Sequence, residues 1–465
     1  MSGWAIPNCD AKIDAIVVAS IDRYMRCLGY RKENGYYIGY RYYPNGSPIE
    51  EGVTCPDGSG NGGGAVKPSV GTCNYWPPSF MRCYIDDFAY IRNTIQRACS
   101  PLHDSLPTSV DMAQLCEQIA AISVKLNVYS GQQGQISSDV ATVEGLANLI
   151  KDGQYAAIMS TVVNRIRGVI AAIGDVVKSM QSVAQSEKDV IEAFQKNLGP
   201  AMDQLAVQLP HKTDKVTLMG VLSVVNWGID VASAIASRNP YLGAKAGVTA
   251  VQGIYTFYFK ERKDNAQATG LGQGRDAGVL AVNASLMDGE KSVNHALRDA
   301  EIKLAELVNS VGSRIVSQMD CFDLRPAGIL MKATGLQVNE REAVKSVADR
   351  TLPSLANELR AVARDVSGLN FGLVFSRHDG IGRAPNGVAP EFNKLLTFVV
   401  SALDALAQDL ETFSYSLHDY VSDLERNEAE SADRLRGAAP FYPGNLPPKR
   451  PEQKYPGLPH GAAID

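Results

Sequence analysis

The chain has 465 residues, of which 45% are hydrophobic and 20% are charged, and its formal net charge at pH 7 is -5. This is ordinary globular usage, so neither wholesale disorder nor a polytopic membrane protein fits, and the length allows two or three domains. Clusters of Lys and Arg beside aromatic residues are missing from the sequence, which argues against nucleic acid as a partner.

The first 105 residues differ in composition from the rest of the chain. A helix is predicted at Asp10–Cys27, and the aromatic run Tyr36–Tyr43, followed by Pro-Asn-Gly, predicts a β-strand and a turn. A short Gly-rich module buries little apolar surface, so its cysteines are candidates for a disulfide framework: Cys9, Cys27, Cys55, Cys73, Cys83 and Cys99. Unpaired thiols in a reducing compartment are the alternative.

Metal, cofactor and catalytic motifs are not found in the sequence. The cysteines and histidines show neither the CxxC nor the HxxxH spacing of a zinc site. The Gly-rich run at 58–64 lacks the Lys-Ser/Thr of a phosphate-binding loop. The histidines have no local nucleophile motif, and adjacent carboxylates such as Asp86 and Asp87 are commonest on ordinary surfaces. We therefore expect a protein without metal or cofactor that is not an enzyme.

From Thr108 onward the hydrophobic pattern becomes helical. The clearest seam runs from Met159 to Phe194 at alternating steps of three and four residues, with only Glu187 out of pattern. Its continuation to Leu209 predicts a helix of about fifty residues, roughly 80 Å long at about 1.5 Å per residue.

Two more seams follow it along the chain. One runs from Val293 to Val311, in a helix predicted to start near Arg275 and end near Cys321, and the other runs from Phe392 to Leu424. Shorter helices are expected at 110–128, 136–151 and 338–366, and the glycines and prolines of 377–390 predict a loop.

Between the first two seams lie two apolar arms, 216–237 and 241–259, joined by Arg238, Asn239 and Pro240. Each arm is near the length of about 20 residues with which a helix spans a bilayer. The residues predicted to enter a membrane are Val216, Leu218, Val221, Leu222, Val225, Trp227, Ile229, Ile235, Tyr241, Leu242, Val248, Val251, Ile254, Phe257 and Phe259.

Each arm also carries one polar stripe at helical spacing, formed by Ser223, Asn226, Asp230 and Ser233 on the first arm and by Lys245, Thr249, Gln252 and Thr256 on the second. Polar groups in hydrocarbon are costly unless they pair or face water, so matched stripes suit a self-satisfied hairpin or a pore wall. An amphipathic pair of core helices in a soluble bundle would show the same alternation and is the alternative.

A long helix, an apolar hairpin and a second long helix form a layout that resembles the cytolysin A type of α-helical pore-forming toxin, including the haemolysin BL and xenorhabdolysin components. The resemblance is one of layout over about residues 108–437 and leaves the first hundred residues unexplained. It implies a soluble form that inserts its hairpin into membrane lipid as a homo-oligomer or with a second toxin component. It also implies secretion without a cleaved signal peptide, and Met1–Lys12 lacks the order of a secretory signal.

The predicted fold class is therefore mainly α. An elongated long-helix bundle with an apolar helical hairpin at 216–259 occupies residues 106–437, after a small Cys-rich α+β module at 1–105 and before a Pro-rich extended tail at 438–465. The predicted function is that of a pore-forming toxin or membrane-permeabilising effector. The alternative function is a structural or interaction protein with a helical rod and an amino-terminal binding head.

Overall fold

A computed structural model describes residues 8–42, 48–66, 83–104, 109–129, 134–149, 153–211, 215–216, 269–270, 274–287, 292–324 and 341–435. These residues are mainly helical, as the sequence predicts, with a small antiparallel sheet near the amino terminus. The predicted hairpin beyond Val216 and the predicted tail at 438–465 lie outside the described residues.

The amino-terminal part combines two helices with a sheet. Its elements are α1 (Cys9–Cys27), β1 (Arg31–Glu33), β2 (Tyr36–Tyr42), β3 (Pro48–Thr54), β4 (Ala65–Val66) and α2 (Ile85–Asp104). The strands pair antiparallel in the order β1-β2-β3-β4, with Ile38 opposite Gly52. Side chains alternate across β2, so Tyr37 is buried against Phe88 of α2 while Tyr36 and Tyr40 are exposed. The predicted helix and tyrosine-rich strand are both confirmed, whereas α2 was not predicted.

The predicted disulfide framework stays a prediction, because the structure describes only some of its candidate cysteines. The thiols of Cys27, Cys55, Cys83 and Cys99 are free in the described part of the chain, and Cys73 lies outside it. Cys9 and Cys99 are buried in the hydrophobic core. Burial raises the pKa of the Cys99 thiol to about 12, with a further contribution from Cys9. Apolar packing therefore contributes to the stability of this part of the chain.

The rest of the described chain is a bundle of long and short helices. They are α3 (Ser109–Lys125), α4 (Gln135–Leu149), α5 (Gly153–Gln208), α6 (Ala277–Val282), α7 (Val293–Ser317), α8 (Arg341–Ser346), α9 (Leu352–Ser367), α10 (Gly372–Phe375) and α11 (Ala389–Leu435). Helix α5 has 56 residues and α11 has 47, which confirms the first and third seams as single long helices.

The prediction of one continuous helix around the second seam is wrong. Helix α6 passes into a π-helical turn at Asn283–Met287, and α7 starts separately at Val293. The side chain of Ser292 accepts a hydrogen bond from the backbone N–H of His295, which caps the new helix. This N-cap places the start of α7 at Val293, which is also the first residue of the apolar seam.

Helix α5 is the centre of the fold. It packs against α1, α3, α4, α7 and α11, and α9 packs along α11. The buried residues of the amino-terminal helices and of the bundle belong to one continuous hydrophobic core. The amino-terminal part is therefore packed into the bundle through α1, which contacts α5 and α6, and through α2, which contacts α1 and α6.

Candidate functional site at the hairpin root

The segment that contains the predicted hairpin begins and ends at one place in the described structure. Strand β5 (Lys215–Val216) pairs antiparallel with β6 (Thr269–Gly270), and Val216 lies opposite Thr269. Residues 217–268 therefore leave and return at neighbouring positions, between the end of α5 and the start of α6. We call β5, β6 and the adjoining ends of α5 and α6 the hairpin root.

Among the predicted membrane-inserting and polar-stripe residues, the structure describes Val216 alone. Val216, the first residue of the predicted membrane-inserting set, lies in strand β5 and not in a helix. The other members of that set and the whole polar stripe lie outside the described residues. Their roles in membrane insertion stay predictions.

Helix α1 packs between the two sides of the hairpin root. It contacts both α5 and α6, and its Ser20 lies so close to Gly278 of α6 that an added Cβ would meet the Ser20 Oγ at 2.3 Å. Only glycine permits this approach. The same Ser20 hydroxyl donates a hydrogen bond of 2.7 Å to the Ile16 carbonyl, which fixes its rotamer inside the interface.

Polar contacts add to this packing on both sides of the root. The Lys12 ammonium of α1 donates to the Asp203 carboxylate of α5, and the Arg23 guanidinium donates to the His211 carbonyl at 2.9 Å. From the other side, the Arg275 guanidinium lies 4.1 Å from the centre of the Tyr90 ring of α2. Arg275 also approaches Asp87 at 3.5 Å. The amino-terminal helices thus bind the chain just before and just after the predicted hairpin.

A second polar site lies inside the bundle, along the carboxyl-terminal half of α5. Arg377, in the loop before α11, binds Glu187 of α5 and donates to Glu301 of α7 at 2.7 Å. All three side chains have 0% exposure. We call Glu187, Glu301 and Arg377, together with the adjoining Arg383–Glu391 pair, the buried charge cluster.

The loop 376–388 is fixed to this cluster by its backbone. The backbone N–H of Arg383 donates to the Glu301 carboxylate, and the N–H of Gly382 donates to the Asn294 side chain at 2.7 Å. Gly382 has φ +51°, and a Cβ there would lie 2.4 Å from the Glu301 carboxylate. Glycine is therefore required for the loop to wrap around the acid. The segment is a loop, as the sequence predicted, but Arg377, Ile381 and Val388 within it are buried.

Burial, together with the neighbouring charge of Glu301, raises the pKa of Glu187 to about 8, although Arg377 opposes the shift. One Glu187 carboxyl oxygen accepts no hydrogen bond within the described part of the chain. The carboxyl also lies within hydrogen-bonding reach of Glu301. A proton on that oxygen would let Glu187 donate a hydrogen bond that Glu301 accepts.

The sequence contained one sign of this site. Glu187 was the only residue out of pattern in the first seam, and a charged residue at an apolar position of a long helix requires a buried partner. Its partners lie 114 and 190 positions further along the chain, so local spacing gives no indication of them.

The amino-terminal sheet carries a smaller polar network. The Tyr37 hydroxyl donates to Asp22, which also accepts from Lys32 at 2.9 Å. Burial raises the pKa of the neighbouring Cys55 thiol, so this cysteine stays protonated near neutral pH.

Within the described ranges, no group of three or more His, Cys, Asp or Glu side chains is placed to hold a metal ion. Among the same residues, no helix combines the length and the apolar character needed to cross a membrane. The chain matches no protein family, no curated protein and no solved structure. The fold and the site thus define a mainly α-helical protein with a long central helix.

Proposed function

We propose that the protein is an α-helical pore-forming toxin or membrane-permeabilising effector whose inserting element is the hairpin 216–259. The observation that carries the proposal is the pairing of β5 with β6, which brings the two ends of residues 217–268 together. An apolar segment that leaves and returns at one point of a helical bundle can be exchanged between the bundle and a bilayer without moving the remaining helices apart.

The lengths of the elements support this function. Two arms of about 20 residues each suit the hydrocarbon thickness of a bilayer, and their polar stripes suit a water-filled lumen lined by several copies. Membrane lipid is the proposed partner, with further copies of the chain or a second component completing the assembly. Secretion is part of the same proposal.

The contacts at the hairpin root support a conversion between two states. Insertion requires that the soluble form hold the hairpin and later release it, because a ligand or membrane shifts an equilibrium only through its different affinity for the two states. At the root, helix α1 is held to α5 by the Lys12–Asp203 and Arg23–His211 contacts and to α6 by the close approach of Ser20 to Gly278.

Dye release from lipid vesicles tests the proposal with a matched pair of variants. Val251→Asp puts a charge in the second arm. Because a charged residue raises the free energy of membrane insertion by about 2.5–3.5 kcal/mol at the bilayer centre, we expect leakage to fall at least tenfold. Val207→Asp makes the same change at an exposed position of α5 outside the hairpin and is expected to leave leakage unchanged.

A fluorescent amino acid at Ala234 provides a direct measurement of insertion. Its emission is expected to shift toward that of an apolar environment when vesicles are added, while the same probe at Val124 of α3, which is exposed, is expected not to shift. Absence of leakage from zwitterionic, anionic and sterol-containing vesicles, together with an unchanged emission at Ala234, would refute the proposal.

The exposed face of the amino-terminal sheet favours the second candidate, an interaction protein with a binding head. Tyr36 and Tyr40 are 41% and 55% exposed, and the Arg31 guanidinium lies 5.6 Å from the centre of the Tyr40 ring. Tyrosine and arginine are enriched at protein interfaces. Tyr40→Ala combined with Tyr36→Ala would abolish partner binding under this alternative while leaving vesicle leakage unaffected.

A further inference from the structure

The charges of the buried cluster do not balance when every group is ionised. Two guanidinium groups, of Arg377 and Arg383, face three carboxylates, of Glu187, Glu301 and Glu391. Arg383 and Glu391 pair with each other through two hydrogen bonds of 2.7 Å, so the imbalance falls on the remaining three groups. Those three side chains have 0% exposure, and an uncompensated charge at such depth is strongly unfavourable.

One proton removes the imbalance. A protonated Glu187 would donate from its free carboxyl oxygen to Glu301, while its other oxygen continues to accept from Arg377. Glu301 would then accept from Glu187 as well as from Arg377 and the backbone N–H of Arg383.

We propose that Glu187 and Glu301 share one proton in the folded protein, and that this proton holds the loop 376–388 against α5 and α7 so that rising pH releases the loop. Arg377 and Arg383 are residues of the loop and also members of the buried charge cluster. The position of the loop therefore depends on the cluster. Arg377 is further fixed inside the loop, where its backbone N–H donates to the Pro385 carbonyl at 2.7 Å.

The sign of the effect follows from the position of the pKa of Glu187. That pKa is raised from 4.5 to about 8 in the folded state, so the folded protein binds a proton that the unfolded chain releases between these values. The stabilisation from this proton is fully present below about 4.5 and is lost as the pH rises through about 8. The groups that face Glu187 are Glu301 from α7 and Arg377 and Arg383 from the loop, the latter paired with Glu391 of α11.

Hydrogen exchange of the backbone amides in 376–388 tests the proposal, with Glu187→Gln as the main variant. Glutamine keeps the shape of a protonated glutamate and can donate to Glu301 without titrating. After correction for intrinsic exchange, the opening constant of the wild-type loop is expected to rise by up to about tenfold per pH unit between pH 5 and 7. In Glu187→Gln this rise is expected to disappear.

Glu192→Gln is the matched control, because it makes the same substitution on α5 at an exposed side chain. Its loop is expected to open with the wild-type pH dependence. Parallel pH profiles for wild type and Glu187→Gln would overturn the proposal.

Infrared spectroscopy of the wild-type protein gives a second test, which does not require that the variant fold. A carbonyl band of a protonated carboxylic acid is expected near pH 6.5, where exposed carboxyls are ionised, and is expected to vanish above pH 9. Absence of this band at pH 6.5 would also overturn the proposal. Neither experiment contains lipid, so both are independent of the proposed membrane function.

Discussion

The α9–α11 pair and the carboxyl-terminal half of α5 are both helix interfaces, and they differ in where they place charge. Along α9 and α11 the centre is aliphatic, with Leu355, Leu359 and Leu403 fully buried. The ion pair between Arg360 and Glu411 lies at the rim, where both side chains are 36% exposed. In the interface around the carboxyl-terminal half of α5, the charged side chains lie at the buried centre and not at the rim.

This difference predicts how each interface responds to mutation. Solvated pairs contribute little because water competes for both partners, so the α9–α11 interface depends on apolar burial. A buried pair adds little net stability when intact, but the loss of one partner leaves a charge without solvation. The two interfaces should therefore differ in how much stability a mutation removes. They should also differ in how that loss depends on pH and on salt.

The largest expected effect is at Arg377. Arg377→Met leaves the Glu187–Glu301 pair, with its one proton and one negative charge, buried without its cation, and we expect a loss of about 3–5 kcal/mol in the free energy of unfolding at pH 7. The loss should shrink at low pH, where both acids can be protonated. Urea denaturation at pH 5 and 7 measures it. Arg364→Met on the exposed face of α9 is the control and should change stability by less than about 0.5 kcal/mol. Equal effects at Arg364 and Arg377 would remove the distinction between the two interfaces.

The next effect is steric and lies at the hairpin root. Gly278→Ala puts a Cβ within 2.4 Å of the Ser20 Cβ, so α1 and α6 must separate, and we expect a loss of about 1–3 kcal/mol. Gly168→Ala within α5 meets no atom within 4 Å and should instead stabilise the protein by about 0.5–1 kcal/mol. Thermal unfolding distinguishes the signs. If Gly278→Ala proved neutral, the close packing of α1 on the root would be contradicted.

The smallest effect is at the solvated pair. Arg360→Gln is expected to cost less than about 1 kcal/mol and to lose its effect in roughly 1 M salt. The hydrogen bonds from Arg360 lower the pKa of Glu411, so the contribution of the pair is present above the ordinary carboxyl pKa and disappears as the pH falls. A double-mutant cycle with Glu411→Gln measures the coupling. A salt-resistant coupling above about 2 kcal/mol would show that the rim pair behaves like a buried one.

The long helices were predictable because an amphipathic helix records its buried face in its own sequence. The seams from Met159 and from Phe392 each correspond to one continuous helix, and the tyrosine run corresponds to β2. The start of α7 was missed because a single cap at Ser292 decided it against a continuous apolar pattern.

The disulfide prediction rested on an assumption that the structure does not bear out. It treated the first hundred residues as a module that must stabilise itself, but α1 and α2 bury Ile16, Ile91 and Cys99 in the same core as the bundle. Whether two cysteines can be joined depends on their separation in space, which sequence spacing does not give.

By itself the sequence determined the helical class, the positions of the long helices and the apolar segment at 216–259, because hydrophobic periodicity and segment length are local properties of the chain. Only the tertiary structure decided that α1 packs on both sides of the hairpin root and that Arg377 lies between Glu187 and Glu301. Those contacts join residues that lie more than seventy positions apart in the chain, and the packing of the whole core fixes which of them meet.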